Sequence, residues 1–158
     1  MSLLANYKAH TQERLNDGGL PALPLTAEQT AELVELLKAS SVVEAEYCLD
    51  LFKNKINPGV DDAAYVKAAF LNDIVQGNVS CSVISKTEAI EILGSMMGGY
   101  NVPPLVEALK IAEVAGAAAE QLKNTILVYN SFNDVKDLMD AGNAKAKEVI
   151  ESWANAEW

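Results

Sequence analysis

The chain has 158 residues, of which 50% are hydrophobic, and its 22 acidic and 12 basic residues give a net charge of −10. A chain of this size buries roughly 70% of its unfolded surface in one domain, so its composition excludes wholesale disorder. The acidic balance and the scattered basic residues argue against a nucleic-acid surface, because phosphates are neutralised by clustered Lys and Arg.

The N-terminal part of the chain is predicted to hold two helices. Residues 4–15 read as a first amphipathic helix that ends at the Asp-Gly-Gly turn of residues 17–19. Residues 1–3 are expected to include residues left over from expression. After a link punctuated by prolines, Thr26 and Gln29 form a T-x-x-Q capping box, which predicts the start of the second helix.

The next two helices are separated by a turn at residues 57–59. Residues 42–55 repeat the helical pattern, and Asp61 or Asp62 is expected to cap the helix that follows the turn. A helix that is apolar on two sides is expected to be buried between neighbours. The apolar positions that predict this burial are Ala64, Tyr65, Val66, Ala68, Phe70, Leu71 and Ile74.

The C-terminal half continues in the same way. Ser85 and Glu88 form a second capping box, and residues 142–143 separate the last two helices. Residues 125–129 (TILVY) have the β-branched run of a strand, but a lone strand has no partner, so we predict helix there. The fold class is therefore all-α, with about eight or nine helices.

Two architectures suit so many short helices: a globular bundle, or an α-solenoid of helix pairs. Two stretches each place Asn and Pro before an apolar helix, and their prolines, Pro58 and Pro103, are 45 residues apart. This spacing lies within the roughly 40–47 residues of a HEAT-type repeat, so it favours the solenoid.

The stretch GGYNVPPL at residues 98–105 is a candidate ligand loop. It lacks the G-x-G-x-x-G spacing of a dinucleotide fingerprint, and it lacks the Lys and Ser/Thr of a P-loop. Glycine at the end of one helix and proline at the start of the next are typical of an αα corner, which is our interpretation. Tyr100 and Asn101 are expected to be exposed there and available for contact with a partner.

Catalytic and cofactor-binding residues are not predicted in this chain. His10 is the only histidine, so no Ser/His/Asp set can be formed, and acidic pairs such as Asp61 and Asp62 read as helix caps. Met96 and Met97 are expected to fill the core. Trp158, at the end of the sequence, is a third contact candidate, because a terminal tryptophan needs a surface to pack against. It suggests that the natural chain continues.

Membrane and metal sites are likewise not predicted. No stretch reaches the 18 or so apolar residues of a membrane span, and the charged N-terminus is not a secretory signal. Cys48 and Cys81 form no C-x-x-C motif and are expected to be reduced thiols of a cytoplasmic protein. Two cysteines and one histidine are too few for an iron–sulfur site.

Several stretches resemble one family along nearly the whole chain. LANYKAHTQER, AEYCLDLFKNKINPGVDDAAYVKAAFL, GGYNVPPLVEAL and DAGNAKAKEVIESWANAEW are similar to the N-terminal HEAT-like domain of bacterial aconitase B. The resemblance implies an α-α superhelix of HEAT-like helix pairs, with residues 1–158 forming one domain of a longer aconitase.

The resemblance also implies the function of the parent enzyme. Such enzymes interconvert citrate and isocitrate through cis-aconitate, using a [4Fe-4S] cluster that later domains bind. No catalytic, cofactor-binding or metal-binding residue of the family falls in this chain. The implied partners are the other aconitase domains, the swivel domain first, and a second copy in a homodimer. No membrane is expected, and the charge argues against nucleic acid for this domain alone.

Three functions follow as hypotheses. The first is a non-catalytic N-terminal domain of an aconitase B-like enzyme, which serves domain packing, dimerisation and partner recognition beside the route to the active site. The second is a free-standing helical adaptor for protein–protein interaction, which a reading frame ending at Trp158 would favour. The third, a hydrolase or small-molecule binder, requires acidic residues to converge in a pocket.

Overall fold

The computed structural model describes residues 2–125, 128–129 and 131–157. These residues form nine helices and no strand, which confirms the predicted all-α fold class. The helices are α1 (Leu3–Asn16), α2 (Ala27–Leu37), α3 (Ala45–Asn54), α4 (Asp62–Gln76), α5 (Lys86–Ser95), α6 (Val102–Ala108), α7 (Ala115–Lys123), α8 (Ser131–Asp140) and α9 (Ala144–Ala154).

Local capping interactions fix where the helices begin. The two predicted capping boxes are both present: the Thr26 hydroxyl accepts from the backbone N–H of Gln29, and Ser85 does the same for Glu88. Each N3 side chain in turn accepts from the N–H of its cap residue. Asp61 caps α4, with its carboxylate 2.9 Å from the backbone nitrogen of Ala64. These bonds satisfy N–H groups that a helix start otherwise leaves free.

The helices are stacked in two layers that follow the chain order. Among the described residues, α2, α4, α6 and α8 contact one another in sequence and form one layer, while α5, α7 and α9 form the second. Consecutive helices also pair across the layers: α2 with α3, α4 with α5, α6 with α7, and α8 with α9. Each helix pair thus contacts mainly the pairs next to it in the chain, which is the packing pattern of a helical solenoid.

The core runs between the two layers and is continuous from α1 to α9. The rings of Phe52 in α3 and Phe70 in α4 meet edge to face, with centroids 5.7 Å apart. Removing these side chains from water is the main force that holds the pairs together. The largest fully buried side chains are Leu33, Leu37, Leu51, Phe52, Leu71, Val75, Ile90, Leu93, Leu105, Val114, Leu122 and Val135.

Lys67 of α4 is buried in this core although it carries a charge, with only 2% of its surface exposed. Its ammonium nitrogen donates to the carbonyl oxygen of Lys53 at 3.3 Å and lies 5.4 Å from the ring centroid of Phe52. Lys53 is in the last turn of α3, where carbonyl groups have no partner within the helix and the helix dipole is negative. Burial lowers the pKa of Lys67 to about 8.

Two details of the predicted helices were wrong. The third helix begins at Ala45 rather than near residue 42. In TILVY, the described residues Thr125, Val128 and Tyr129 lie outside any helix, while residues 126–127 are outside the described part of the chain. Helix α7 ends at Lys123, and Tyr129 has a positive φ of 38°, which interrupts a right-handed helix.

Candidate interaction surface

Two corners of the chain pack directly against each other, one before α4 and one before α6. The N–H of Met97 donates to the carbonyl oxygen of Pro58 at 2.6 Å. Gly98 has φ +86°, and a Cβ atom there would lie 2.5 Å from the carbonyl oxygen of Gly59 and 2.7 Å from Cγ1 of Val60. Only glycine combines that backbone conformation with so close an approach. The predicted αα corner is present, and its glycine lets it dock on its counterpart.

Asn101 holds the second corner from the inside. Its side-chain nitrogen donates to the carbonyl oxygens of Leu93 at 2.8 Å and Met96 at 3.1 Å, at the end of α5. The Leu93 carbonyl oxygen also accepts from the backbone N–H of Met96, whereas Asn101 is the donor found for the Met96 carbonyl oxygen among the described residues. Only 2% of Asn101 is exposed, so its expected exposure was wrong. The side chain is committed to the fold, because the carbonyl groups at the end of α5 draw it inward.

Tyr100 is exposed as expected, and it meets a second tyrosine from α4. The rings of Tyr65 and Tyr100 are 5.5 Å apart between centroids and inclined at 77°, an edge-to-face geometry. Tyr65 is 60% exposed and Tyr100 is 38% exposed. The expected burial of Tyr65 was wrong: its ring packs against that of Tyr100, which is itself partly exposed. Trp158 lies outside the described residues.

Two further apolar side chains are exposed at these corners. Val60 is 78% exposed and Met97 is 67% exposed, and both lie on the two packed corners. We call Val60, Tyr65, Met97 and Tyr100 the corner patch. The expectation that both methionines fill the core was correct for Met96, which is buried, and wrong for Met97. Apolar groups exposed side by side are typical of surfaces that bind another molecule.

A groove between α4 and α6 opens beside the corner patch, with a volume of about 360 Å³. On the α4 side lies Asn72, whose Oδ1 atom is buried and has no hydrogen-bond partner among the described residues. On the α6 side, Glu107 accepts from the ammonium of Lys110 through both carboxylate oxygens, at 2.8 and 2.9 Å. The groove is lined by Tyr65, Ala68, Ala69, Asn72, Gly99, Tyr100, Pro103, Pro104 and Glu107.

A second cleft, of about 300 Å³, lies on the other side of the same corner. Gly99 lines both clefts, and the exposed Met97 lines the second one. Its described walls carry no charged side chain, and they run from the end of α5 to residues 124–125 after α7. Residues of the corner patch therefore line both depressions, and both have mostly apolar or small residues in their walls.

The thiols do not form a metal centre. The Sγ atom of Cys48 donates to the carbonyl oxygen of Val43, and that of Cys81 donates to the carbonyl oxygen of Leu37, each at 3.3 Å. Burial raises the pKa of the Cys48 thiol, which disfavours the thiolate that binds metals. In the described residues, no three His, Cys, Asp or Glu side chains are grouped so that they could hold a metal ion. This donor set does not fit an iron–sulfur cluster.

The remaining polar candidates also have structural partners. His10 accepts a hydrogen bond on Nε2 from the backbone nitrogen of Leu23, at 3.1 Å, which ties α1 to the proline-rich link. Asp134 and Asp137 share a shallow cleft of about 270 Å³ with Glu107, but all three are exposed and Glu107 is already bonded to Lys110. Exposed carboxylates of this kind do not form a closed catalytic pocket.

None of the helices in the described ranges has the length and hydropathy needed to cross a membrane.

Three residues of interest were not predicted from the sequence. Tyr65 was not expected to be exposed, and Asn72 and Lys67 were not identified at all. The burial of each of these side chains depends on which neighbouring helix lies over it.

Comparison with known proteins identifies the family. The profile of the family described as the Aconitate B N-terminal domain matches residues 6–158. The chain is 52% identical over 156 residues to Aconitate hydratase B of Pseudomonas aeruginosa, and 47% identical over 156 residues to that of Escherichia coli K12. The Helicobacter pylori J99 protein of the same name is 44% identical over 157 residues.

These alignments cover 98–99% of the chain but only 18% of each relative. The chain thus spans less than a fifth of the length of the relatives it matches. The profile match and the 44–52% identity along nearly the whole chain agree with the resemblance of the sequence motifs to this family. The chain belongs to the family of aconitase B N-terminal domains.

Proposed function

We propose that this chain is a non-catalytic N-terminal domain of an aconitase B-like enzyme. The observation that carries the proposal is the match to 99% of the chain and to only 18% of relatives named Aconitate hydratase B. The parent enzyme would interconvert citrate and isocitrate through cis-aconitate in the cytoplasm. Residues 1–158 would form a single HEAT-like domain within it, and the [4Fe-4S] cluster would be held by later domains.

The chemistry of the described residues supports a role without catalysis. The thiols of Cys48 and Cys81 donate to two separate backbone carbonyl groups and do not converge on one site. The single histidine accepts a hydrogen bond from the backbone. An enzyme site needs a nucleophile, an acid or base, or a metal converging on one pocket. The two grooves at the corner patch offer tyrosine, amide and proline groups instead.

The corner patch supports a role in protein contacts. It places four exposed apolar side chains on a rigid support, because the packed glycines and the buried Asn101 fix both corners. We propose that such surfaces serve domain packing, with the swivel domain as first partner, and dimerisation and partner recognition beside the route to the active site. Neither nucleic acid nor a membrane is proposed as a partner of this domain.

Turnover assays test the absence of catalysis. The chain is incubated with iron and sulfide under reducing conditions, and cis-aconitate formation from citrate and isocitrate is followed. The full-length Pseudomonas aeruginosa relative, treated identically, is the positive control. We expect activity and iron–sulfur absorbance only in the relative. Turnover by the 158-residue chain would overturn the proposal.

Sedimentation tests the role in assembly. The chain and the full-length enzyme that contains it are compared with variants in which Tyr65 and Tyr100 are both replaced by serine. The control is Tyr129→Ser, since Tyr129 is also exposed, at 77%, but is not part of the corner patch. We expect altered domain packing, seen as increased protease sensitivity or a changed oligomer, only for the double variant. Identical behaviour of all forms would remove the corner patch from this role.

A further inference from the structure

The α4–α6 groove has the composition of a site for extended, proline-rich chain segments. The rings of Tyr65 and Tyr100, which meet edge to face, line the groove together with Pro103 and Pro104 at the start of α6. Segments in the polyproline II conformation bind to grooves lined by aromatic rings, because proline rings pack flat against them and little conformational entropy is lost. The tyrosines are held by rigid helices and a rigid corner, so the groove is preformed.

The polar group in the groove matches the backbone of such a segment. Asn72 lines the groove, but its Oδ1 atom is buried beneath the surface and lacks a partner among the described residues. The side-chain amide also carries a nitrogen, which is a hydrogen-bond donor. A polyproline II segment has no internal hydrogen bonds and exposes carbonyl oxygens, which are the acceptors that this donor requires.

The charges around the groove favour a basic residue next to the prolines of the bound segment. Glu107 lies at its α6 edge, and no lysine or arginine is among the lining residues. The whole chain has a net charge of −10. Lys110 already pairs with Glu107, but an exposed pair of this kind contributes only about 0–1 kcal/mol, so an incoming arginine can share the carboxylate. Acidic segments would be repelled.

We propose that the α4–α6 groove binds a proline-containing segment of a partner protein in the polyproline II conformation, with an Arg or Lys beside Glu107. This inference deepens the proposed role in partner recognition and rests on it. The rings of Tyr65 and Tyr100 hold the proline rings, Asn72 donates to a backbone carbonyl oxygen, and Glu107 receives the cation.

The test is a titration of the ¹⁵N-labelled chain with the peptide acetyl-Pro-Pro-Leu-Pro-Pro-Arg-amide, followed by NMR. We expect amide shifts at Tyr65, Ala69, Asn72 and Tyr100. Two control peptides are compared, one with every proline replaced by alanine and one with the arginine replaced by glutamate. Both should bind at least several-fold more weakly, the first because its unbound state is less extended and the second because of repulsion at Glu107.

Variants connect the binding to the groove. Tyr65→Ala and Tyr100→Ala should each weaken peptide binding by about tenfold, the effect of losing an aromatic contact worth ~1.4 kcal/mol. The control Tyr129→Ala should bind like the wild type, and unchanged amide spectra away from the groove show that each variant is folded.

Three outcomes would overturn the inference: no shifts at millimolar peptide, equal binding of the alanine peptide, or shifts of the same residues when the chain alone is concentrated. The last would assign the groove to a second copy. If the peptide fails while the assembly experiment still shows an effect of the double tyrosine variant, only the present inference falls. If both fail, the role in partner recognition falls as well.

Discussion

The buried ammonium of Lys67 makes stability depend on pH in a way that one substitution removes. The pKa of Lys67 falls from 10.5 to about 8 in the folded chain because burial disfavours the charged form. The folded state therefore releases this proton at a lower pH than the unfolded state does. Between about pH 8 and 10.5 the unfolded state binds more protons, so stability rises with pH across this window.

The size of the effect follows from the two pKa values. For one group with these values, the free energy of unfolding increases by about 2.5 kcal/mol between pH 7 and pH 10. Replacing Lys67 by methionine keeps the length of the side chain and removes the titrating group. We expect Lys67→Met to be more stable than the wild type at pH 7, and this advantage to shrink by about 2.5 kcal/mol at pH 10.

Urea unfolding at pH 7, 8, 9 and 10, followed by circular dichroism, measures this difference. Other lysines and tyrosines titrate in both proteins, so their contributions cancel when the variant is compared with the wild type. Lys53→Met is the matched control, because it removes an exposed lysine from the last turn of α3, the helix end that Lys67 contacts, and leaves the buried ammonium in place. Parallel pH profiles for Lys67→Met and the wild type would refute the reasoning, since they would mean that water reaches the ammonium.

The remaining predictions concern the corner and the last helix. Gly98→Ala should lower the free energy of unfolding by about 2–4 kcal/mol, since the new Cβ meets backbone atoms. Gly99 also has a positive φ, but a Cβ atom there would meet only open space, so Gly99→Ala should cost only about 1–2 kcal/mol. Equal losses of unfolding free energy for the two variants in urea would contradict the close contact between Gly98 and Gly59. Asn101→Ala should cost about 1–3 kcal/mol by thermal or urea unfolding, because the Met96 carbonyl group loses its donor while the Leu93 carbonyl group keeps the N–H of Met96; a loss below ~1 kcal/mol would show that water replaces the amide. Trp153→Phe removes the 2.9 Å bond from Nε1 to the Leu122 carbonyl oxygen and should cost about 1 kcal/mol, and hydrogen exchange should show whether the end of α7 then opens more easily.

Local signals in the sequence predicted the helices well. Both capping boxes, the Asp61 cap and the glycine–proline corner depend on residues three or four positions apart, so periodicity and capping rules reach them. The Pro58–Pro103 spacing favoured a solenoid of helix pairs over a globular bundle, and the observed contacts between neighbouring pairs have that pattern. The conformation of residues 125–129 (TILVY) was harder to predict, because a β-branched run favours a strand while the helix before it favours continued helix.

The candidate surface could be predicted only in part. Tyr100 was identified because a tyrosine in a corner tends to be exposed, but the same logic failed for Asn101, whose burial depends on carbonyl groups at the end of another helix. Tyr65 fits an apolar helix face by sequence, yet 60% of its surface is exposed. Lys67 reads as a surface residue until α3 is placed beside it. Such properties depend on long-range contacts, which a pattern within one helix does not contain.

The order of the helix layers has a consequence for how the chain is made. Because each helix contacts mainly its near neighbours in sequence, α2 to α5 can form most of their core before α8 and α9 have been synthesised. A nascent chain of this kind can bury its apolar faces pair by pair as it leaves the ribosome. Domains of this family lie at the N-terminus of a long enzyme. The rest of such a polypeptide therefore emerges beside a domain that has already folded.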